Sequence, residues 1–296
     1  MERRDAVWGY VFLLPWLIGL LVFWLGPILM SLALSFTEYD VISPPRFNGL
    51  DNYRKALTGD PLFWPSILRT FEYSVVVVPL GLLGALGLAL LLNRGLKGSN
   101  AFRALFYMPT LTPAVALALL WGWIFQPEVG PVNIVLRTMG IHSPPTWLAS
   151  KEWAMPSIMI INLWASMGGS AMLIFLAGLQ GVPVELMEAA ELDGAGTWAK
   201  FRNVTLPMIS ATFFFNLVLG IIGALKVFTT AFVATQGGPA YATWFFALHI
   251  YQQAFSFFKM GYGSALAWIF VVILLVFTYF QLRLSRQWVY YAGDEA

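Results

Sequence analysis

The sequence contains no cysteine, which excludes a disulfide framework, a thiolate nucleophile and any Cys-ligated metal. Histidine is scarce too: His142 and His249 are the only two, far apart in sequence, and alone they cannot build a zinc site. Charged residues make up 11% of the 296 positions, against about 25% in an average soluble domain. With 17 Lys and Arg against 15 Asp and Glu the net charge is +2, which leaves no electrostatic footprint for nucleic acid. Also missing are the patterns G-x-x-x-x-G-K-[ST], H-E-x-x-H and G-x-S-x-G, so nothing here cradles ATP phosphates or nominates catalytic residues. What is abundant is apolar: 59% of the residues are hydrophobic and 16% aromatic. A single core in a chain of this length buries only part of that surface, and the rest needs the bilayer as solvent.

Crossing about 30 Å of hydrocarbon takes roughly 20 helical residues. Six stretches qualify, 7–36, 71–92, 102–125, 153–179, 212–235 and 264–282, so the expected fold is an all-α integral membrane protein with six transmembrane helices. The first stretch follows Arg3 and Arg4 but far exceeds the roughly 7 to 15 residues of a signal-peptide h-region, and it reads as an uncleaved span. Pro15, Pro27, Pro79, Pro109 and Pro113 fall in or near spans, where kinks are expected. Six spans put both termini on one side. That side carries nine basic residues, Arg3, Arg4, Arg94, Lys97, Arg103, Lys200, Arg202, Arg283 and Arg286, against Arg46, Arg54, Lys55, Arg69, Arg137, Lys151 and Lys259 opposite. The terminal-side segments are shorter in total, and residues 93–103 hold three basic groups and no acid, so the termini are expected in the cytoplasm. Trp8, Tyr10, Trp121, Trp123, Trp147, Trp153, Trp288, Tyr290 and Tyr291 gather near span ends and read as headgroup-level anchors. Gly81, Ala85 and Ala89, spaced by four, allow another helix to approach the second span closely.

The loop at 180–210 is too polar to cross a membrane and too patterned to be a linker. Pro183 suits a first helical turn, Glu185 and Glu188 complement the positive N-terminal dipole, and Gly194 is a natural terminator. This predicts one short helix over 183–192 and a second over 197–204, capped by Thr197 and stopped ahead of Pro207. Leu186, Met187, Trp198 and Phe201 stand among its charges. Two readings follow: an interfacial helix resting in headgroups, or a docking element that offers an apolar knob with acidic flanks to a partner's groove.

Glu188-Ala189-Ala190, three residues, Gly194, nine residues, Val204, one residue and Leu206-Pro207 resemble the EAA motif, EAA-x3-G-x9-I-x-LP, of binding-protein-dependent ABC importer permeases. Val204 stands where that motif has Ile. The likeness extends over nearly the whole chain and points to the maltose, glycerol-phosphate and multiple-sugar group. Residues 34–40 (LSFTEYD) and 47–53 (FNGLDNY) look like that group's first-span exit and outer-loop start, and Lys226-Val227-Phe228, Thr235-Gln236-Gly237-Gly238-Pro239, Tyr251 and Ala254-Phe255 resemble its fifth span and following loop. Thr229 follows Lys-x-Phe where the group usually has an acid, so no substrate assignment is carried over.

The resemblance implies the type I ABC importer transmembrane fold in a bacterial or archaeal cytoplasmic (inner) membrane. It also implies partners: a second, homologous permease, two ATPase subunits that bind ATP and Mg, and an extracytoplasmic solute-binding protein, with no cofactor on this chain. Glu188, Ala189, Ala190, Asp193, Gly194, Val204, Leu206 and Pro207 would then couple the loop to the ATPase. The domain frame is 1–70 for the first span and outer loop, 71–284 for the permease core with its coupling loop at 180–210, and 285–296 for a cytoplasmic tail.

A solute route needs small or polar residues on one helical face. Asn162, Ser166, Gly169, Ser170 and Ala177 follow helical spacing in the fourth span, as do Asn216, Gly220, Gly223, Val227 and Thr230 in the fifth. Lys226 lies roughly 60° from Gly223 on a regular helix. It reads either as part of the route or as a structural pair, with Glu72 as a candidate partner. For Asn162 and Asn216, interhelical hydrogen bonding competes with solute contact, and for Trp164 and Phe228 packing competes with stacking on a sugar ring. Gln236, Gly237, Gly238 and Pro239 form a turn ending the fifth span that would face the binding protein. The function expected is a non-enzymatic permease subunit for carbohydrate uptake. The alternatives are a stand-alone channel or secondary carrier, and a membrane-embedded enzyme.

Overall fold

The computed structural model describes residues 2–95 and 97–290. Tyr291 and the rest of the predicted tail to 296 lie outside the described residues, as do the side chains of Arg3 and Arg4. Helices dominate, because every backbone group inside hydrocarbon must be paired within its own segment. In chain order they are α1 (Glu2–Gly19), α2 (Gly26–Ser35), α3 (Asp51–Arg54), α4 (Phe63–Leu92), α5 (Ser99–Leu111), α6 (Ala114–Ile124), α7 (Pro131–Thr138), α8 (Ala154–Met167), α9 (Ser170–Gln180), α10 (Val184–Leu192), α11 (Thr197–Lys200), α12 (Leu206–Met208), α13 (Ser210–Leu225), α14 (Thr229–Ala234), α15 (Phe246–Tyr251) and α16 (Met260–Ser285). Strands β1 (Thr37–Glu38) and β2 (Arg46–Phe47) form a small antiparallel hairpin.

Five helical stretches are long and apolar enough to cross a membrane: Tyr10–Ser35, Phe63–Leu92, Ala154–Gln180, Ser210–Ala234 and Met260–Ser285. The third predicted span is a pair, α5 and α6, bent by 95°. Pro113 is the cause: it forces Thr112 out of the helical region, to φ −75° and ψ 127°. Six spans result when this pair counts as one. The first span is continuous through Pro27 by way of a π-helical turn at Leu20–Leu25, which accommodates the missing N–H one turn upstream of the ring. The fifth span, predicted unbroken, stops at Leu225 and resumes at Thr229.

The chain divides into two compact units, Met1–Phe63 with His249–Ile273, and Trp64–Leu248 with Leu274–Ala296. In the first, Asn52 is buried and its Nδ2 donates to the carbonyls of Ser35 and Thr37, at 2.9 and 2.8 Å, holding the hairpin to the end of α2. Asp60 is the hub of a second buried network. Its carboxylate accepts from Tyr262 O–H (2.6 Å), Leu62 N–H (2.9 Å) and His249 Nε2 (2.9 Å). Burial opposes ionisation of Asp60, but the hydrogen bonds from Tyr262 and Leu62 and the neighbouring imidazole outweigh it and hold the carboxyl below its ordinary range. His249 is fully buried, and desolvation lowers its pKa against the opposing pull of Asp60.

The second unit builds its core on α4. Tyr73, Val77, Leu82, Ala85, Leu86 and Ala89 pack with Ile158, Met172, Phe175 and Leu179 of α8 and α9 and with Ile209 and Ala224. Ala85 and Ala89 are fully buried, as their small-residue spacing led one to expect. Between α8 and α9 the chain kinks at Gly168 and Gly169, where α5 crosses. A Cβ on Gly168 would run into the Phe106 carbonyl, and one on Gly169 would sit 2.7 Å from Thr110 Oγ1. The anchor reading of Trp147 is corrected. It is buried, stacked on Phe125 at 4.7 Å, and donates through Nε1 to Asn133 Oδ1 at 2.6 Å, forming the core of the loop that carries α7.

Candidate functional site: an exposed loop helix and a polar pocket among the spans

The loop helix α10 ends in a Schellman arrangement. The N–H of Ala195 reaches the Ala190 carbonyl at 2.9 Å, and the N–H of Gly194 reaches the Glu191 carbonyl at 3.0 Å. Gly194 sits at φ +79° with open space where a Cβ would be, so it is required by its dihedral angle and not by a close approach. Pro183 is the residue before the helix, at φ −58° and ψ 132°. Two details of the loop differ from expectation. Gly196, not Thr197, occupies the N-cap position of α11, with no side-chain cap. The second helix does not stop ahead of Pro207 but runs through it to Met208 by a π-helical turn at Phe201–Thr205, the same accommodation used at Pro27.

Glu188 and Ala189 are exposed, Ala190 is half-buried, and Asp193 and Gly194 are exposed at the turn. Val204 is half-buried, whereas Leu206 and Pro207 are exposed. Lys200 pairs with Glu191 at 3.2 Å, and Thr205 Oγ1 approaches the Met187 sulfur at 3.9 Å, so the two loop helices brace each other. Around this frame Val184, Leu186, Leu192 (90% exposed) and Trp198 (70% exposed) project outward. This exposed apolar surface with acidic flanks is what both readings of the loop require, a partner's groove or the headgroup layer.

Among the spans of the same unit lies a pocket of about 470 Å³. It brings together Asn162 and Ser166 from α8, Gly169 from the kink, Ser170 from α9, Asn216, Gly220 and Gly223 from α13, and Thr230 from α14. Tyr73, Thr110 and Thr112, which the periodicity of the fourth and fifth spans could not nominate, complete the wall. Asn162 Nδ2 is committed to the Ile158 carbonyl at 2.9 Å, while its Oδ1 accepts from Thr230 at 3.2 Å. Asn216 lines the pocket and is 3% exposed, and its buried Nδ2 has no hydrogen-bond partner among the described residues, although buried donors are normally paired.

The remaining nominated residues lie elsewhere. Ala177 is exposed outside the pocket wall, and Val227 is buried in the unit's core. Lys226 caps the C-terminal end of α13 at φ −88° and ψ 15° and is exposed, so the regular-helix angle that set it beside Gly223 does not apply. Glu72 pairs instead with Arg69, at 2.7 Å. Trp164 packs edge-on against Trp121 and Phe228 stacks on Phe232. In the turn at the end of α14, Gly237 is buried against Trp244 at φ +85°, Gly238 and Pro239 are half-buried and joined by a cis peptide, and Gln236 is exposed. Thr243 Oγ1 donates to the Gly238 carbonyl at 2.9 Å and fixes the turn from beneath.

Comparison with known proteins agrees with this architecture. Residues 78–289 match the family described as "Binding-protein-dependent transport system inner membrane component". The probable ABC transporter permease protein YesP of Bacillus subtilis is 40% identical over 296 residues, covering 99% of this chain and 95% of its own. The trehalose/maltose transport system permease protein MalF of Thermococcus litoralis is 34% identical over 290 residues, covering 97% and 96%. A chain of a bacterial alginate ABC transporter, solved in complex with an alginate pentasaccharide-bound periplasmic protein, superposes with a TM-score of 0.84 at 25% identity over 96% of both chains. The chain thus belongs to the binding-protein-dependent transport system inner membrane components, the membrane-spanning permeases of ABC transporters.

Proposed function

We propose that this permease forms, with a second permease, the path by which an ATP-driven importer takes up a carbohydrate handed over by a solute-binding protein. The observation that carries the substrate class is the pocket among α4, α8, α9 and α13, with the unpaired amide of Asn216 in its wall. Its amides, hydroxyls and glycines are uncharged, which suits a neutral, hydroxyl-rich solute that trades water hydrogen bonds for protein ones during passage. The sugar named for the Thermococcus relative supports the same class. Asn162, Ser166, Asn216, Gly220, Gly223 and Thr230 line the route. Lys226 and Val227 lie beyond this chain's own pocket wall, and Lys226 is exposed toward whatever covers that face.

In this reading α10 seats in a cleft of an ATPase subunit, where ATP and Mg are bound and hydrolysed. Glu188, Ala189 and Ala190 form the contact, Asp193 and Gly194 the turn, and Val204, Leu206 and Pro207 the return to the spans. The bent pair α5 and α6 counts as one span, both termini are cytoplasmic, and Gln236 through Pro239 face the binding protein outside. The test is Glu188→Lys in the assembled transporter. Solute-stimulated ATPase activity and uptake are expected to vanish while membrane insertion stays normal. Unchanged uptake would remove the coupling role.

A further inference from the structure

Beyond the end of α16 the chain turns back on itself. Trp288 sets its indole edge-on against Phe213 and Phe214, with ring centroids 6.1 and 6.0 Å apart, and the N–H of Tyr290 donates to Ser210 Oγ at 2.9 Å. Between this tail and the exit of the loop a pocket of about 360 Å³ opens, lined by Arg202, Leu206, Pro207, Ser210, Phe213 and Trp288. Two span ends fix its depth. One span begins at Ser210 and another finishes at Ser285, so the pocket straddles the headgroup level on the side of the coupling loop.

The walls are aliphatic and aromatic apart from Ser210, whose hydroxyl is engaged by the tail. Among the described residues the only charge in its lining is the exposed guanidinium of Arg202, which has no ion pair or hydrogen bond there. Between Asp193 and Asp294 the sequence holds no Asp or Glu, while Arg202, Arg283 and Arg286 lie near this end of the two spans and Lys200 is paired with Glu191. Apolar walls at headgroup depth take acyl methylenes, a guanidinium fork takes phosphate oxygens, and a basic pocket between spans selects an anionic headgroup.

We propose that this pocket holds one anionic phospholipid, with its phosphate on Arg202 and its glycerol and upper acyl chain against Phe213 and Trp288. Such a lipid joins the return segment of the coupling loop to the tail of the last span, so membrane charge sets how firmly the two move together. That consequence rests on the permease reading, whereas the binding does not.

The test is native mass spectrometry of the full-length permease, with its co-purifying subunits, from mild detergent containing equal phosphatidylglycerol and phosphatidylcholine. One phosphatidylglycerol per chain is expected to survive in preference to phosphatidylcholine. Arg202→Gln is expected to lower its retention about fivefold, the factor equivalent to ~1 kcal/mol per basic residue near an anionic surface, and Arg202→Lys to recover most of it. In the intact protein, phosphatidylglycerol with brominated acyl chains should quench a fluorescence component that Trp288→Phe removes. Equal retention of the two lipids, unchanged retention in Arg202→Gln, or quenching indifferent to Trp288 would each overturn the site. Because retention is read without solute or ATP, its failure leaves the permease reading standing, and failure of Glu188→Lys to uncouple uptake leaves the lipid site standing.

Discussion

Two buried polar clusters in this chain are built on opposite plans. Around Asp60 the carboxylate accepts from Tyr262, His249 and the Leu62 N–H, and these closed hydrogen bonds tie the turn ahead of Phe63 to His249 and Tyr262 within one unit. Around Asn216, which lines a pocket, the amide donor has no partner among the described residues, while Asn162 nearby is bonded to Thr230 and to the Ile158 carbonyl. A satisfied network in low dielectric fixes structure and is expensive to break. An open one contributes little to stability and keeps its hydrogen-bonding capacity for something that comes and goes. The contrast separates a polar group that holds the fold from one that, under the proposed function, would meet a passing solute.

Breaking the closed cluster should give the largest effect. Asp60→Asn removes the charged acceptor shared by three donors and is expected to cost about 2 to 3 kcal/mol, read as a lower thermal midpoint in nanodiscs. Acid should attack the same cluster in the unmodified protein. The folded pKa of His249 is lowered, so the unfolded chain takes up that proton first and stability falls as the pH drops below about 6.5. The contribution of Asp60, also lowered, is complete above about pH 4 and is lost as the pH falls further. A melting series from about pH 8 down to about pH 2 should therefore decline in two stages, and His249→Phe should flatten the upper one. A single decline confined to below about pH 4 would remove His249 from the account.

The open cluster should respond in the reverse sense. Thr230→Val deletes the hydroxyl that Asn162 accepts and is expected to cost about 1 kcal/mol, with a measurable fall in solute uptake. Asn216→Leu is expected to leave stability within about 0.5 kcal/mol, since no bond is lost, while uptake drops severalfold. A large loss of stability in that variant would make Asn216 a structural residue and erase the contrast between the two clusters.

The loop helix was legible in the sequence because its determinants are local. Pro183 before the first turn, acids along it and Gly194 at the left-handed position act within a few residues of one another, and α10 ends where they direct. The stripe of Asn162, Ser166 and Gly169 and that of Asn216, Gly220 and Gly223 were legible too, since helical period alone puts each set on one face, and both reach the same pocket. Lys226 was misplaced because periodicity presumes an unbroken helix. The break after Leu225 has no proline or glycine at the point where the chain turns to announce it. Thr110 and Thr112 went unnoticed because they enter the pocket through the bend at Pro113, whose angle no local rule supplies.

Taken alone, the sequence determined the solvent, the number of apolar stretches and the loop that leaves the membrane, because composition, length and capping act residue by residue. Only the tertiary structure decided that His249 meets Asp60 across 189 positions, that Trp147 is buried in its loop rather than lying at the headgroups, and that the tail at Trp288 closes a pocket against Arg202. Those outcomes depend on which helices pack together, and a buried hydrogen bond or ring contact forms only once distant segments have been brought within a few ångströms of each other.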